Sequence, residues 1–274
     1  MEELRQADTM LLHATVTGSY DPRLVTLSVL ITIFAAYAAL DLAGRLTTAA
    51  RGARIIWIVG GSVSLGSGIW AMHYVGMAAY RLPIPVTYDW PTVVLSLLAA
   101  IFASTVALFS VSRPTMSPRD AIVGSLFMGG GIVAMHYIGM AAMRLSAMCQ
   151  YSTGLVVLFI LVAVGISFLG IHIVFSLREN TAALGGRKLA GAIALGLAIP
   201  LMHYIGMVAV TFVPTAQVNG SLAYAVSVSD LGLTGITTIT AVMLGLAVYS
   251  SQIDRRLVLQ AQTLAESRSQ VQTI

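Results

Sequence analysis

The chain has 274 residues, of which 57% are hydrophobic and only 9% charged, with a mean hydropathy of +0.87. A water-soluble domain carries roughly 25% charged residues, so a soluble globular fold is excluded. Fifteen Lys and Arg against eleven Asp and Glu leave a formal charge of +4, scattered through short hydrophilic gaps without forming a basic face, which excludes nucleic acid as a partner. The single cysteine, Cys149, rules out an internal disulfide, a thiolate zinc cage and an iron–sulfur cluster supplied by this chain alone.

A helix needs about 20 mostly apolar residues to cross a bilayer. Seven stretches of that kind follow one another: Leu24 to Leu42, Ile55 to Ala79, Thr92 to Val111, Ala121 to Met143, Leu155 to Leu177, Leu189 to Phe212, and Leu231 to Tyr249. Within them the one charged side chain is Asp41, one helical turn from Arg45, which reads as an interfacial pair. The expected fold is therefore an all-α integral membrane protein of seven helices, with the lipid bilayer as its surroundings. Arg45, Arg51, Arg54, Arg113, Arg119, Arg178, Arg187, Lys188, Arg255, Arg256 and Arg268 fall on one side, and Arg5, Arg23, Arg81 and Arg144 on the other. Positive loops stay in the cytoplasm, which predicts an outside N-terminus and an inside C-terminus. Residues 1–20 lack the features of a signal peptide and read as a short external segment, ahead of a membrane domain over 21–251.

An internal repeat dominates the chain. Gly66 to Leu82 (GSGIWAMHYVGMAAYRL), Gly129 to Leu145 (GGGIVAMHYIGMAAMRL) and Gly196 to Phe212 (GLAIPLMHYIGMVAVTF) share Met-His-Tyr-(Val or Ile)-Gly-Met. LSVLITIFAAYAAL from Leu27 also echoes LSLLAAIFASTVAL from Leu95, so the repeating unit is a two-helix hairpin. Three hairpins place the second, fourth and sixth spans parallel, with the seventh left over. At about 1.5 Å per residue His73, His136 and His203 then lie at one depth in the outer leaflet. Gly66 and Gly68, Gly129 to Gly131, and Gly196 predict close helix approach, and Pro200 a kink.

Residues four apart share a helical face, which groups His73 with Met77, His136 with Met140, and His203 with Met207. Met72, Met135 and Met202 point roughly 100° away on one side, and Tyr74, Tyr137 and Tyr204 on the other. Ionisable residues inside a membrane are costly and mark function, and three at equal depth point to a metal site. Imidazole with thioether suits copper, whereas zinc would be satisfied by three histidines without the methionines. Haem held by two of the histidines is the alternative cofactor. His172 lies away from this layer and predicts a local hydrogen bond; His13 reads as an unremarkable external residue. Cys149, with Met143 and Met148, reads as an ordinary outer loop. No nucleophile triad, phosphate loop or paired catalytic carboxylates occur, so no enzyme module is expected in the chain.

These motifs, with the opening YDPRLVTLSVL and the first span's ALDLAGR, resemble the MHYT domain, a seven-spanning bacterial sensor family, over Tyr20 to about Tyr249. The resemblance implies copper binding by Met72, His73, Met135, His136, Met202 and His203, sensing of a diatomic gas such as O2, CO or NO, and a bacterial inner-membrane location. It also implies a cytoplasmic output: diguanylate cyclase and phosphodiesterase domains, or a histidine kinase. The family's Thr after the Tyr is replaced by Val75, Ile138 and Ile205, which weakens any role for a hydroxyl there and leaves the imidazoles untouched. Residues 252–274 space Leu257, Ala261, Leu264, Arg268 and Val271 as a signalling helix or coiled coil would, predicting a homodimer. A metal transporter and a purely structural anchor are the competing readings.

Overall fold

The computed structural model describes residues 15–48, 51–178 and 185–235, and single positions between 237 and 256. Among the described residues six helices are long and apolar enough to cross a membrane: α1 (Pro22–Thr48), α2 (Arg51–Ala79), α3 (Trp90–Val111), α4 (Pro118–Ala141), α5 (Thr153–Leu177) and α6 (Gly186–Val208). A further helix, α7, runs from Val228 to Val242 across positions outside the described residues. The external residues 1–14 with His13 also lie outside them, as do the predicted seventh span beyond Val242 and the 252–274 helix apart from Gly245, Gln252 and Arg256.

Local chemistry sets the starts of α3 and α4. Asp89 caps α3, accepting from the Thr92 amide (3.2 Å) and hydroxyl (2.6 Å), with Pro91 in the first turn. Ser117 and Asp120 form a reciprocal capping box on α4, followed by Pro118. Pro200 is accommodated inside a continuous α6.

The six helices close into a ring in chain order, α6 returning to α1. Along their most apolar stretches 44–67% of residues in α2, α4 and α6 are buried, against 28–39% in α1, α3 and α5, so the motif helices form the inner layer. Phe34, Phe102, Phe109 and Leu161 on the outer helices are exposed, as a lipid-facing surface requires. The first glycine of each repeat carries a ring contact. A Cβ on Gly66 would meet Ile101 Cα at 2.7 Å, on Gly129 Val164 Cα at 2.9 Å, and on Gly196 Ile33 Cα at 2.5 Å. Backbones therefore touch where side chains are absent, as packing in membranes favours. Gly131 likewise abuts Ala103, whereas Gly130 faces open space.

The ends of the spans correct the all-α expectation. Met143 and Phe212, read as helical, lie in short strands: β1 (Ser19–Tyr20), β2 (Tyr80–Arg81), β3 (Thr87–Asp89), β4 (Met143–Arg144), β5 (Ala147–Tyr151), β6 (Val210–Pro214) and β7 (Ala225–Ser227). β1 pairs with β2, β3 with β4 and β5 with β6, all antiparallel, and β7 adds to β3. Each hairpin is thus tied by the strand before its first helix and the strand after its second. The segment before α1 is part of this cap, since Val16 bridges Phe212.

At the opposite end Asp41 holds Arg45 at 3.4 Å, as the four-residue spacing predicts, and also Lys188 at 2.6 Å. The Lys188 side chain is 4% exposed and that of Asp41 32%, so this ion pair joins α1 to α6 with its ammonium buried and its carboxylate partly open. Arg178 is buried and donates to the carbonyls of Val111 (2.7 Å) and Pro114 (2.9 Å), satisfying groups that the end of α3 leaves open.

Candidate metal centre

The ring brings His73, His136 and His203 together on its axis, each 0–1% exposed. Ring centroids stand 4.9–5.4 Å apart, and one nitrogen from each residue lies within 4.8 Å of the others. His73 Nδ1 and His203 Nδ1 are 3.1 Å apart, so one donates and the other accepts. Four nitrogens, His73 Nε2, both of His136 and His203 Nε2, have no hydrogen-bond partner among the described residues. Orphaned polar atoms in an apolar interior cost free energy unless something satisfies them.

The motif glycine explains how the rings fit. A Cβ on Gly139 would meet His73 Nε2 at 2.4 Å, on Gly206 His136 Nε2 at 2.7 Å, and on Gly76 His203 Nε2 at 2.6 Å. Each imidazole therefore sits over the glycine of the next motif, in a cycle around the axis. This role was missed in the sequence reading, although a glycine three residues after each histidine, three times over, was the available signal.

The tyrosines follow the same threefold order with one exception. Tyr74 bonds Ser96 on α3 (3.2 Å) and Tyr204 bonds Ser28 on α1 (3.1 Å). The glycine contacts align Ser28 and Ser96 with Phe159 on α5, five residues before Ile33, Ile101 and Val164 respectively. Phe159 packs on the His136 ring at 4.9 Å and leaves the Tyr137 hydroxyl without a partner among the described residues. The His136 sector is thus the most apolar third of the cluster.

All six proposed methionine ligands are buried, at 0–5% exposure. Met77 and Met140 line separate clefts on the strand side, and Met202 lines a space on the axis below the imidazoles. Cys149 lies in β5, not in a loop, and burial pushes its thiol up. His172 is exposed on α5, and its ring stacks on Phe168 at 6.3 Å, a contact different from the local hydrogen bond expected. In the strand cap, burial pushes the Tyr20 hydroxyl up to about 12, with Tyr80 and Tyr204 adding to the shift.

The donor set fits one metal ion. Two imidazole nitrogens bound to the same ion at about 2.0–2.1 Å sit roughly 3–3.5 Å apart, which brackets the 3.1 Å pair and asks the third ring, within 4.8 Å, to close by at most about 1.3–1.8 Å. Haem fits less well, because a macrocycle between two of the rings would occupy the position of the third.

Six apolar helices around a buried trio of imidazoles define a multi-pass membrane protein with a buried histidine cluster. The chain belongs to the MHYT family, described as a bacterial signalling protein N-terminal repeat, which matches residues 66–124, 129–187 and 196–261. The bifunctional diguanylate cyclase/cyclic di-GMP phosphodiesterase MucR of Pseudomonas aeruginosa is 37% identical over 250 residues, 91% of this chain and 36% of MucR. The cyclic di-GMP phosphodiesterase NbdA of the same organism is 37% identical over 243 residues, 87% of this chain and 31% of NbdA. Signaling protein YkoW of Bacillus subtilis is 32% identical over 267 residues, 97% of this chain and 32% of YkoW. The chain spans about a third of the length of these relatives. No solved structure matches it.

Proposed function

We propose that this chain is the membrane sensor of a signalling protein in which His73, His136 and His203 hold a copper ion. The observation that carries this reading is three buried imidazoles that bring one nitrogen each within 4.8 Å of the others in an apolar interior, with four of their six nitrogens unpartnered among the described residues. Met77, Met140 and Met207, or Met72, Met135 and Met202, are the thioethers within the motif that complete a soft donor set. Copper there supplies either a change between Cu(I) and Cu(II) or an open position for a diatomic gas such as O2, CO or NO. The imidazoles fix the ion's place; the motif glycines set how closely they approach.

The Lys and Arg distribution supports an inner-membrane location, with the strand cap at the periplasmic face and the Asp41 end at the cytoplasm. The names of MucR and NbdA support an output that makes or breaks cyclic di-GMP, joined through residues 252–274 and a homodimer formed there. Helix α7 is the element we assign to coupling. The third family match continues into α7, yet Gly196 packs on α1, which closes the ring without it. Gly235 instead seats α7 on α2, where a Cβ would meet Ala71 at 3.5 Å, two residues before His73. A helix that the ring does not need, resting beside one ligand, is placed to respond when that ligand moves.

The test is metal content by mass spectrometry on protein loaded under reducing conditions. Copper near one per chain in the wild type, absent from the triple variant His73→Ala, His136→Ala, His203→Ala, is the expected result. Equal copper in both, or none in either, overturns the assignment; zinc in the wild type alone redirects it, and a strong Soret band identifies haem.

A further inference from the structure

The bundle axis beneath the imidazole layer is hollow. Ile132 and Ile199, one turn before His136 and His203, lie with Met202 at the upper end, and Val111 and Val174 lie at the lower end. All six helices of the ring contribute to the wall. The cavity offers about 40 Å³ to the centre of a water-sized molecule, where a single water needs roughly 10–15 Å³. Water is nevertheless a poor occupant. Ser167 is the one hydroxyl in the wall, and a buried water requires about 2–4 polar partners.

Ser167 is itself informative. It is fully buried, and its hydroxyl has no hydrogen-bond partner among the described residues, whereas Ser125 on α4 bonds the carbonyl one turn back at 2.6 Å. A dry space with one free hydroxyl suits a small, uncharged molecule that accepts at most a weak hydrogen bond. Such an occupant regains the dispersion contacts that the cavity wall otherwise lacks.

We propose that this axial cavity is a binding site for small apolar molecules of diatomic size, dioxygen among them, held one helical turn from the imidazole cluster. Its use as a store for the cluster rests on the metal reading above; its occupancy does not. The site takes its ligand by shape and apolarity, so a noble gas of similar size binds as well. That makes xenon a probe independent of any metal.

The experiment is Xe-129 NMR of the full chain in nanodiscs under increasing xenon pressure, against protein-free nanodiscs. A saturable component is expected in the wild type. It weakens at least tenfold in Ala39→Leu and in Ser167→Leu, which fill the cavity, and persists in Ser167→Ala. Ile132→Val, which widens the space by one methylene, shifts the bound resonance and serves if the filling variants do not fold. No saturable component in the wild type, or one that neither filling nor widening alters, overturns the proposal. Xenon binding in a protein that takes up no metal would leave the cavity standing and sink the metal reading; metal without xenon would do the reverse.

Discussion

Replacing Gly139 with alanine puts the packing of the imidazoles under direct test. The added Cβ would stand 2.4 Å from His73 Nε2 and 3.0 Å from its Cδ2, where ordinary contact begins near 3.4 Å, so the ring must retreat by about 1 Å. Retreat is confined, because the Tyr74, His136 and His203 rings lie within 5.1 Å of it, centroid to centroid. Overpacking of this kind costs about 1–3 kcal/mol, and alanine returns up to about 1 kcal/mol of helix propensity. The net loss of roughly 0–2 kcal/mol leaves the bundle folded. Metal–ligand distances, by contrast, tolerate about 0.2 Å, so the same displacement takes His73 out of any shared coordination. Thermal unfolding together with the metal-to-protein ratio should therefore show a small change in stability and a large loss of metal. Gly76→Ala and Gly206→Ala should behave alike, from clashes of 2.6 and 2.7 Å. Gly130→Ala, which meets nothing within 4 Å, is the control and should keep its metal. A Gly139→Ala protein with wild-type metal content and wild-type stability would refute the reasoning.

Three further outcomes follow from the geometry. Asp41→Ala should lower stability by about 3 kcal/mol, at the low end for a broken buried pair because the Asp41 side chain is 32% exposed; adding Lys188→Met should recover part of the loss in thermal unfolding. Ser96→Ala leaves the buried Tyr74 hydroxyl without its partner and should cost about 1–2 kcal/mol, read by the same melts. The Thr92 hydroxyl, then its amide and Arg144, hold the Asp89 carboxyl below its ordinary value. A carboxyl depressed in the folded state stabilises above its unfolded pKa and loses that contribution as pH falls through the folded value. The melting temperature should thus decline below about pH 4, and Asp89→Asn, an equally good cap, should flatten that decline.

The repeat, the six spans and the shared depth of the three histidines were legible because each depends on local spacing that is written three times. The ring contacts of Gly66, Gly129 and Gly196 were legible for the same reason, as small residues at matched positions. Which imidazole faces which glycine was not, because that depends on the rotation and offset of helices more than 60 residues apart, and no pattern within one helix encodes it. The strand cap escaped because strands of two to five residues are too short to display a period of two. Lys188 was read as a loop cation since its partner, Asp41, lies 147 residues away, and only ring closure brings α6 back to α1.

That same closure sets the asymmetry of the site. Phe159 stands where the other two repeats place a serine and packs on His136, which is also the imidazole with no hydrogen bond at either nitrogen among the described residues, while His73 and His203 hold each other at 3.1 Å. A pair fixed by a mutual hydrogen bond and a third ring held by ring contacts and by Gly206 alone are not equivalent positions. His136→Ala should therefore leave the stability of the bundle closest to wild type while removing metal, whereas His73→Ala or His203→Ala also leaves the partner's Nδ1 unpaired and should cost an added 1–3 kcal/mol or so. Melts of the three single variants decide this. Equal destabilisation by all three would mean that the 3.1 Å contact contributes nothing to holding the ring together.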